Sequence, residues 1–168
     1  MRRDPMNQER RAGMTKNDLP SWLWPVADAL ATQGANGLFL IVFPEYRPDL
    51  TKSLAHHLGL AYFDFRAEVM SRLGTGAPSL GLDALERSLA AHAEHRGVVV
   101  MNAEALLAAK APADRQAWLR SATGLSFPHP VCVSLSLFGD DAAAADPRVL
   151  RLEAAGLPEQ SFLSRLAN

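Results

Sequence analysis

Cysteine is almost missing from this 168-residue chain: Cys132 stands alone, so no internal disulfide and no multi-cysteine zinc site can be built. That usage fits a reducing cytoplasm. Long hydrophobic runs are missing too. The longest, Leu38 to Phe43, is far below the roughly 18 residues that span a bilayer. Arg2-Arg3 is followed by no apolar stretch of the kind an export signal needs. An excess of either charge is equally lacking. Seventeen basic and eighteen acidic side chains leave a net charge of −1, which excludes a global field drawing the protein onto nucleic acid or anionic lipid. Nucleic acid could be met only indirectly or through a local patch. Lysine is scarce, with only Lys16, Lys52 and Lys110.

What is present is the composition of a soluble globular protein, 48% apolar and 21% charged, at a length suited to one domain. Residues 1–18 carry five basic and three acidic side chains and no large aliphatic or aromatic residue except methionine, so they are expected to form a disordered basic tail. Residues 19–168 are expected to form a single α/β domain. Its strands are read from short apolar runs, 38–43 unbroken, then 61–65, 98–101 and 131–137, with 148–152 preferred as a fifth although Asp146-Pro147 would also permit a short helix there. Helices are read between them. The first starts near Ser21 with Pro25 in its opening turn and stops at Gly34. A second starts at Pro48, repeats leucine at 50, 54 and 58, and ends at Gly59. Further helices are expected over 67–73, 83–95, 112–122 and 159–167, with residues 74–79 as a loop. Continuous apolar strands alternating with helices predict a mostly parallel sheet of four or five strands covered on both faces.

The stretch from the first strand to the second reads GLFLIVFPEYRPDLTKSLAHHLGLAYFDF. With its loop masked, it resembles the opening of a P-loop nucleotide-binding domain. Such a loop needs G-x-x-x-x-G-K-[ST]: glycines let backbone N–H groups converge on phosphate, lysine neutralises charge and the hydroxyl holds magnesium. Here the loop is Phe43-Pro-Glu-Tyr-Arg-Pro-Asp49, with no glycine. Aligned backward from Leu58-Gly59-Leu60, Arg47 falls at the lysine position and Pro48 at the hydroxyl position, while Glu45 would repel phosphate. The third strand runs on as Val98-Val-Val-Met-Asn-Ala-Glu-Ala-Leu-Leu107, similar to a stretch in the small P-loop protein of bacteriophage-exclusion systems. By that resemblance Asn102 and Glu104 match the family's asparagine and glutamate, and Met101 replaces the aspartate that would serve magnesium. The resemblance covers about residues 21–139. It implies a three-layer P-loop NTPase-like fold and a bacterial accessory protein that binds partners in a larger assembly.

The departures fall on the nucleotide-handling residues, so a non-catalytic binding subunit with no cofactor is the expected function. The vestigial site would comprise Glu45, Tyr46, Arg47, Pro48, Lys52, Asn102 and Glu104. Arg47 is expected to be solvated or paired at the surface, and Glu104 to open the next helix, where its charge suits the N-terminal dipole. The alternative is a nucleotide-binding protein using Arg47, Lys52 and Glu104. A third reading, a metal-dependent nuclease, rests on Asp64 and Glu68 near a strand end, although Asp64 could equally cap the following helix. His56 and His57 are adjacent and point about 100° apart, and the His92/His95 pair lacks a third ligand. Trp22 and Trp24, two positions apart on a helix, are expected to point about 200° apart, so one faces the core only if the other faces outward. They are the candidate interface residues.

Overall fold

The computed structural model describes residues 18–160, and all structural statements concern these. Five strands, β1 (Gly37–Val42), β2 (Ala61–Asp64), β3 (Val98–Met101), β4 (Pro130–Leu135) and β5 (Val149–Arg151), form one sheet in the order β2-β3-β4-β1-β5. Every pairing is parallel, so the sheet is wholly rather than mostly parallel. Six α-helices accompany it among the described residues: α1 (Trp24–Thr32), α2 (Pro48–His57), α3 (Ser71–Leu73), α4 (Leu82–His92), α5 (Glu104–Leu107) and α6 (Pro112–Ser121).

Strand side chains alternate between two apolar cores, and this alternation produces the three layers. Leu38, Leu40, Val98, Val100, Val131 and Val133 face a core completed by Leu85 and Leu89 of α4, Leu106 and Leu107 of α5, and Trp118 and Leu119 of α6. Phe39, Ile41, Val99 and Cys132 face the opposite core with Val26 of α1 and Leu50 and Leu54 of α2. With both faces covered, the central strands β3 and β1 are continuous apolar runs, and β4 is interrupted only by Ser134, whose hydroxyl donates to the Val100 carbonyl at 3.2 Å.

Where the boundaries differ from the expectation, local chemistry explains most of it. Residues 21–23 form a 3₁₀ turn ahead of α1, and Ser21 makes no capping hydrogen bond. The helix expected at 67–73 begins one residue earlier, as a π-wound turn (Arg66–Met70), and Gly74–Ser79 is wound as 3₁₀ rather than being an open loop. α2 ends before Gly59, whose φ of +64° is a conformation that glycine adopts without strain. α4 stops at His92, three residues early. β4 stops at Leu135, because the next three backbone N–H groups are taken by a side chain described below. The helix expected over 159–167 does not start at 159: Glu159 and Gln160 are not helical, and the rest of it, like residues 1–17 of the expected tail, lies outside the described residues.

Candidate functional site at the carboxyl edge of the sheet

In a parallel sheet the place for a ligand is the carboxyl edge, at a point where neighbouring strands feed chain to opposite faces. β1 and β4 meet this condition: β1 leads to α2 on one face, while the chain after β4 packs Phe138 and Ala142 into the core on the other. The loop 43–47, the end of β3 and the end of β4 meet there. Phe43 N donates to the Leu135 carbonyl at 2.8 Å, drawing the loop against β4.

Arg47 does not lie at the surface, as the sequence suggested. It is only 4% exposed. Its Nε and Nη2 donate to the two carboxylate oxygens of Asp49 at 2.9 and 2.8 Å, and Nη2 also reaches the Pro158 carbonyl at 2.9 Å. The hydrogen-bonded guanidinium holds the Asp49 carboxyl below the usual carboxylate range, and the carboxylate raises Arg47 in turn. The cation of the loop between β1 and α2 is therefore met by the chain's own anion. Glu45 adds a second carboxylate 3.7 Å from Arg47 Nη1. Pro48 opens α2, where its fixed φ suits the first turn and its missing N–H costs nothing. Thr51, one turn on, donates its hydroxyl to the Arg47 carbonyl at 3.1 Å and so turns back into the helix. Lys52 is exposed on α2, its ammonium 5.6 Å from the centre of the Tyr62 ring, and is not part of the pocket around Arg47.

Glu104 does open α5, as expected, but its carboxylate performs a different task. Buried, it accepts four hydrogen bonds: Oε1 from the N–H groups of Leu137 and Phe138 at 2.8 and 2.9 Å, Oε2 from Ser136 N–H at 2.9 Å and from the Ser136 hydroxyl at 3.2 Å. One side chain thus satisfies three successive backbone donors that leave the sheet together. Beside it, the Tyr46 hydroxyl donates to Asn102 Oδ1 at 3.1 Å, and Asn102 Nδ2 donates to Asp64 Oδ2 at 2.9 Å. Asn102 holds φ at +60°, the sole non-glycine residue in the left-handed region among the described residues. Asparagine is among the residue types that tolerate this conformation. It lets one amide bridge the ends of β2 and β3.

Met101, at the end of β3, accepts the Tyr62 hydroxyl on its sulfur at 2.9 Å. Burial, with the charge of Asp64 second, pushes the Tyr62 hydroxyl up to about 12. Asp64 and Glu68, the carboxylates of the nuclease reading, close the start of the following turn reciprocally. Ala67 N–H donates to Asp64 Oδ1 at 3.0 Å and Asp64 N–H to Glu68 Oε1 at 3.2 Å, a helix-capping arrangement. Among the described residues no group of three His, Cys, Asp or Glu is placed to hold a metal ion. The space left between Arg47, Thr51, Asn102, Glu104 and Ser134 is about 10 Å³, room for one water.

The two tryptophans divide as the helical spacing requires. Trp22 is 7% exposed and belongs to the core, so as an interface residue it is corrected: its ring is packed with Leu23 and Val26. Trp24 is 39% exposed, and its indole N–H donates to the Leu19 carbonyl at 3.2 Å. Sequence reasoning allowed Arg47 a surface pairing beside Glu45 and Asp49 but missed its burial, and it passed over Ser136 and Leu137 as the loop that Glu104 holds. The second pairing joins residues that no periodicity links. Cys132 is fully buried, and burial pushes its thiol up to about 12. No helix among the described residues is long and apolar enough to cross a membrane. No protein-family model matches this chain, and comparison with curated proteins and with solved structures gives no match.

Proposed function

We propose that the chain is a non-catalytic binding subunit built on a P-loop NTPase-like scaffold whose nucleotide site has been filled by its own side chains. The observation that carries this reading is the pairing of Arg47 with Asp49. A phosphate loop works by leaving one cation and several N–H groups unmatched until an anion arrives. Here the cation is matched, the flanking Glu45 repels a second anion, and the gap between the loop and the ends of β3 and β4 has room for one water, while the hollow of about 460 Å³ that Arg47 also lines carries the carboxylates of Glu45 and Glu159. Glu104 could not orient an attacking water without giving up donors from residues 136–138. The strand, loop and helix at β1–α2 still stand where a P-loop domain has them, which supports the scaffold by analogy of fold. A place in a bacterial phage-defence assembly rests on the sequence resemblance alone.

Titration of the full chain with fluorescent ATP and magnesium, up to roughly millimolar nucleotide, tests the reading. The expected result is no saturable binding. Saturable binding that unlabelled ATP competes away, and that weakens in Arg47→Lys, overturns it in favour of an atypical nucleotide site.

A further inference from the structure

We infer that the protein's partner-binding surface is the apolar patch formed by Leu137 and Tyr46 at the carboxyl edge, with Arg66 on its rim, and that its occupant is a protein segment offering an apolar side chain next to a carboxylate. This deepens the binding reading above and rests on it.

Leu137 is 72% exposed and Tyr46 52%, the two most exposed large apolar side chains among the described residues. Both line one depression of about 240 Å³ walled by Ala105 and Ala108 of the α5 region. Leu137 also borders a second depression of about 290 Å³ beside Pro44 and Leu152, so it forms the ridge between two hollows. Scattered exposed leucines need no explanation, but a leucine and a tyrosine sharing one concave site do.

The backbone of Leu137 and the ring of Tyr46 are also held by their surroundings. The Leu137 backbone is fixed by Glu104, which binds the N–H groups on both sides of it as well as its own. The Tyr46 hydroxyl is fixed by Asn102, itself anchored to Asp64. Ordering costs that an interface ordinarily meets on association are thus already met in the folded chain. The left-handed backbone at Asn102 belongs to the same arrangement.

Charge selects the occupant. Two charged residues line the depression. Glu104 is committed to four internal donors, whereas Arg66 is exposed and its guanidinium makes no ion pair or hydrogen bond among the described residues. An arginine beside a tyrosine has the composition of an interface hot spot, Leu137 adds apolar area next to it, and the uncommitted guanidinium calls for a carboxylate on the partner.

The test is a selection of displayed random linear peptides on the full-length protein, followed by polarisation titrations with the synthetic consensus peptide. The expected consensus pairs an aromatic or aliphatic residue with a nearby Asp or Glu. Its affinity should fall roughly tenfold or more in Leu137→Asp and in Arg66→Glu. Replacing the peptide's acid by lysine should restore binding to Arg66→Glu, and binding to the wild-type protein should weaken with salt. Both protein substitutions are at exposed positions, and unchanged melting curves verify that the fold is kept. Selected peptides that bind both variants as well as the wild type, or a selection that enriches nothing, overturn the proposal. Peptides lost instead on Trp24→Ala move the surface to α1 and leave the binding-subunit reading standing, whereas only competed ATP binding removes that reading.

Discussion

Replacing Glu104 by glutamine separates a structural carboxylate from a catalytic one, because the two roles predict opposite phenotypes. Each carboxylate oxygen accepts two donors, Oε1 from Leu137 and Phe138 N–H and Oε2 from Ser136 N–H and hydroxyl. An amide can satisfy only one of these pairs. Whichever way it is turned, its NH₂ group faces two donors that have lost their acceptor. Hydrogen bonds to a charged group contribute about 1.5–3 kcal/mol each, and the surviving pair falls to the neutral range of about 0.5–1.5 kcal/mol. Loop relaxation lets water reach some of the orphaned groups, so a net loss of about 3 kcal/mol is expected. For a domain of this size that corresponds to a fall in Tm of roughly 6–12 °C. Urea denaturation followed by tryptophan fluorescence measures it, with Ser136→Ala as the control that removes a single hydroxyl bond and costs about 1 kcal/mol. If Glu104→Gln melted within about 1 °C of the wild type, the clamp would be refuted. A glutamate that orients water would show that silence in stability together with loss of a nucleotide-dependent activity.

Three further outcomes follow from the same geometry. Because its Arg47 partner depresses the Asp49 carboxyl, the pair stabilises the fold fully above the unfolded carboxylate pKa, and this contribution is lost as pH falls through the lower folded value. The stability difference between wild type and Asp49→Asn should therefore be constant at neutral pH and shrink below about pH 4, in urea titrations at stepped pH; a difference unchanged by acid refutes the ion pair. Val99→Asp and Val133→Asp place carboxylates in the two opposite cores and should each destabilise by several kcal/mol or abolish soluble expression; a near-native melting temperature for either would contradict a doubly covered sheet. Cys132 should react with a disulfide reagent only as fast as the protein opens, being buried with its thiol pushed up to about 12, and rapid labelling at pH 8 would show the strand to be accessible.

The sheet was legible in the sequence because burial on both faces leaves one signal that needs no partner to read. A run such as Val98-Val-Val-Met101 is apolar whichever core each residue faces, and β3 spans those four residues. Even the short run 148–152, where Asp146-Pro147 also permitted a helix, carries enough aliphatic character for β5 at its centre. The ends of elements were harder to read. β4 continues as an apolar pattern through Leu137, yet the ladder stops at Leu135 since Glu104, more than thirty residues earlier, takes the N–H groups that follow. No local pattern contains that competition.

The candidate site was half legible for a related reason. That the loop between β1 and α2 holds no glycine, lysine, serine or threonine can be read directly from the sequence, and it identifies what the loop does not provide. What the structure has there is a set of pairings, Arg47 with Asp49, Tyr46 with Asn102 and Glu104 with residues 136–138, and of these only the first is local. Proximity of Arg47 to two acids made an ion pair expected, but a surface pair and a buried one have the same sequence. Burial decides the consequence. At the surface the pair would leave Arg47 able to exchange its carboxylate for a phosphate at little cost. Enclosed, with a third bond to the Pro158 carbonyl, the guanidinium cannot release the partly exposed Asp49 without leaving its own buried charge short of a partner. The loop is thus a fixed part of the fold, and under the proposed binding role the chemistry left for a partner is on the exposed side chains of Tyr46 and Leu137.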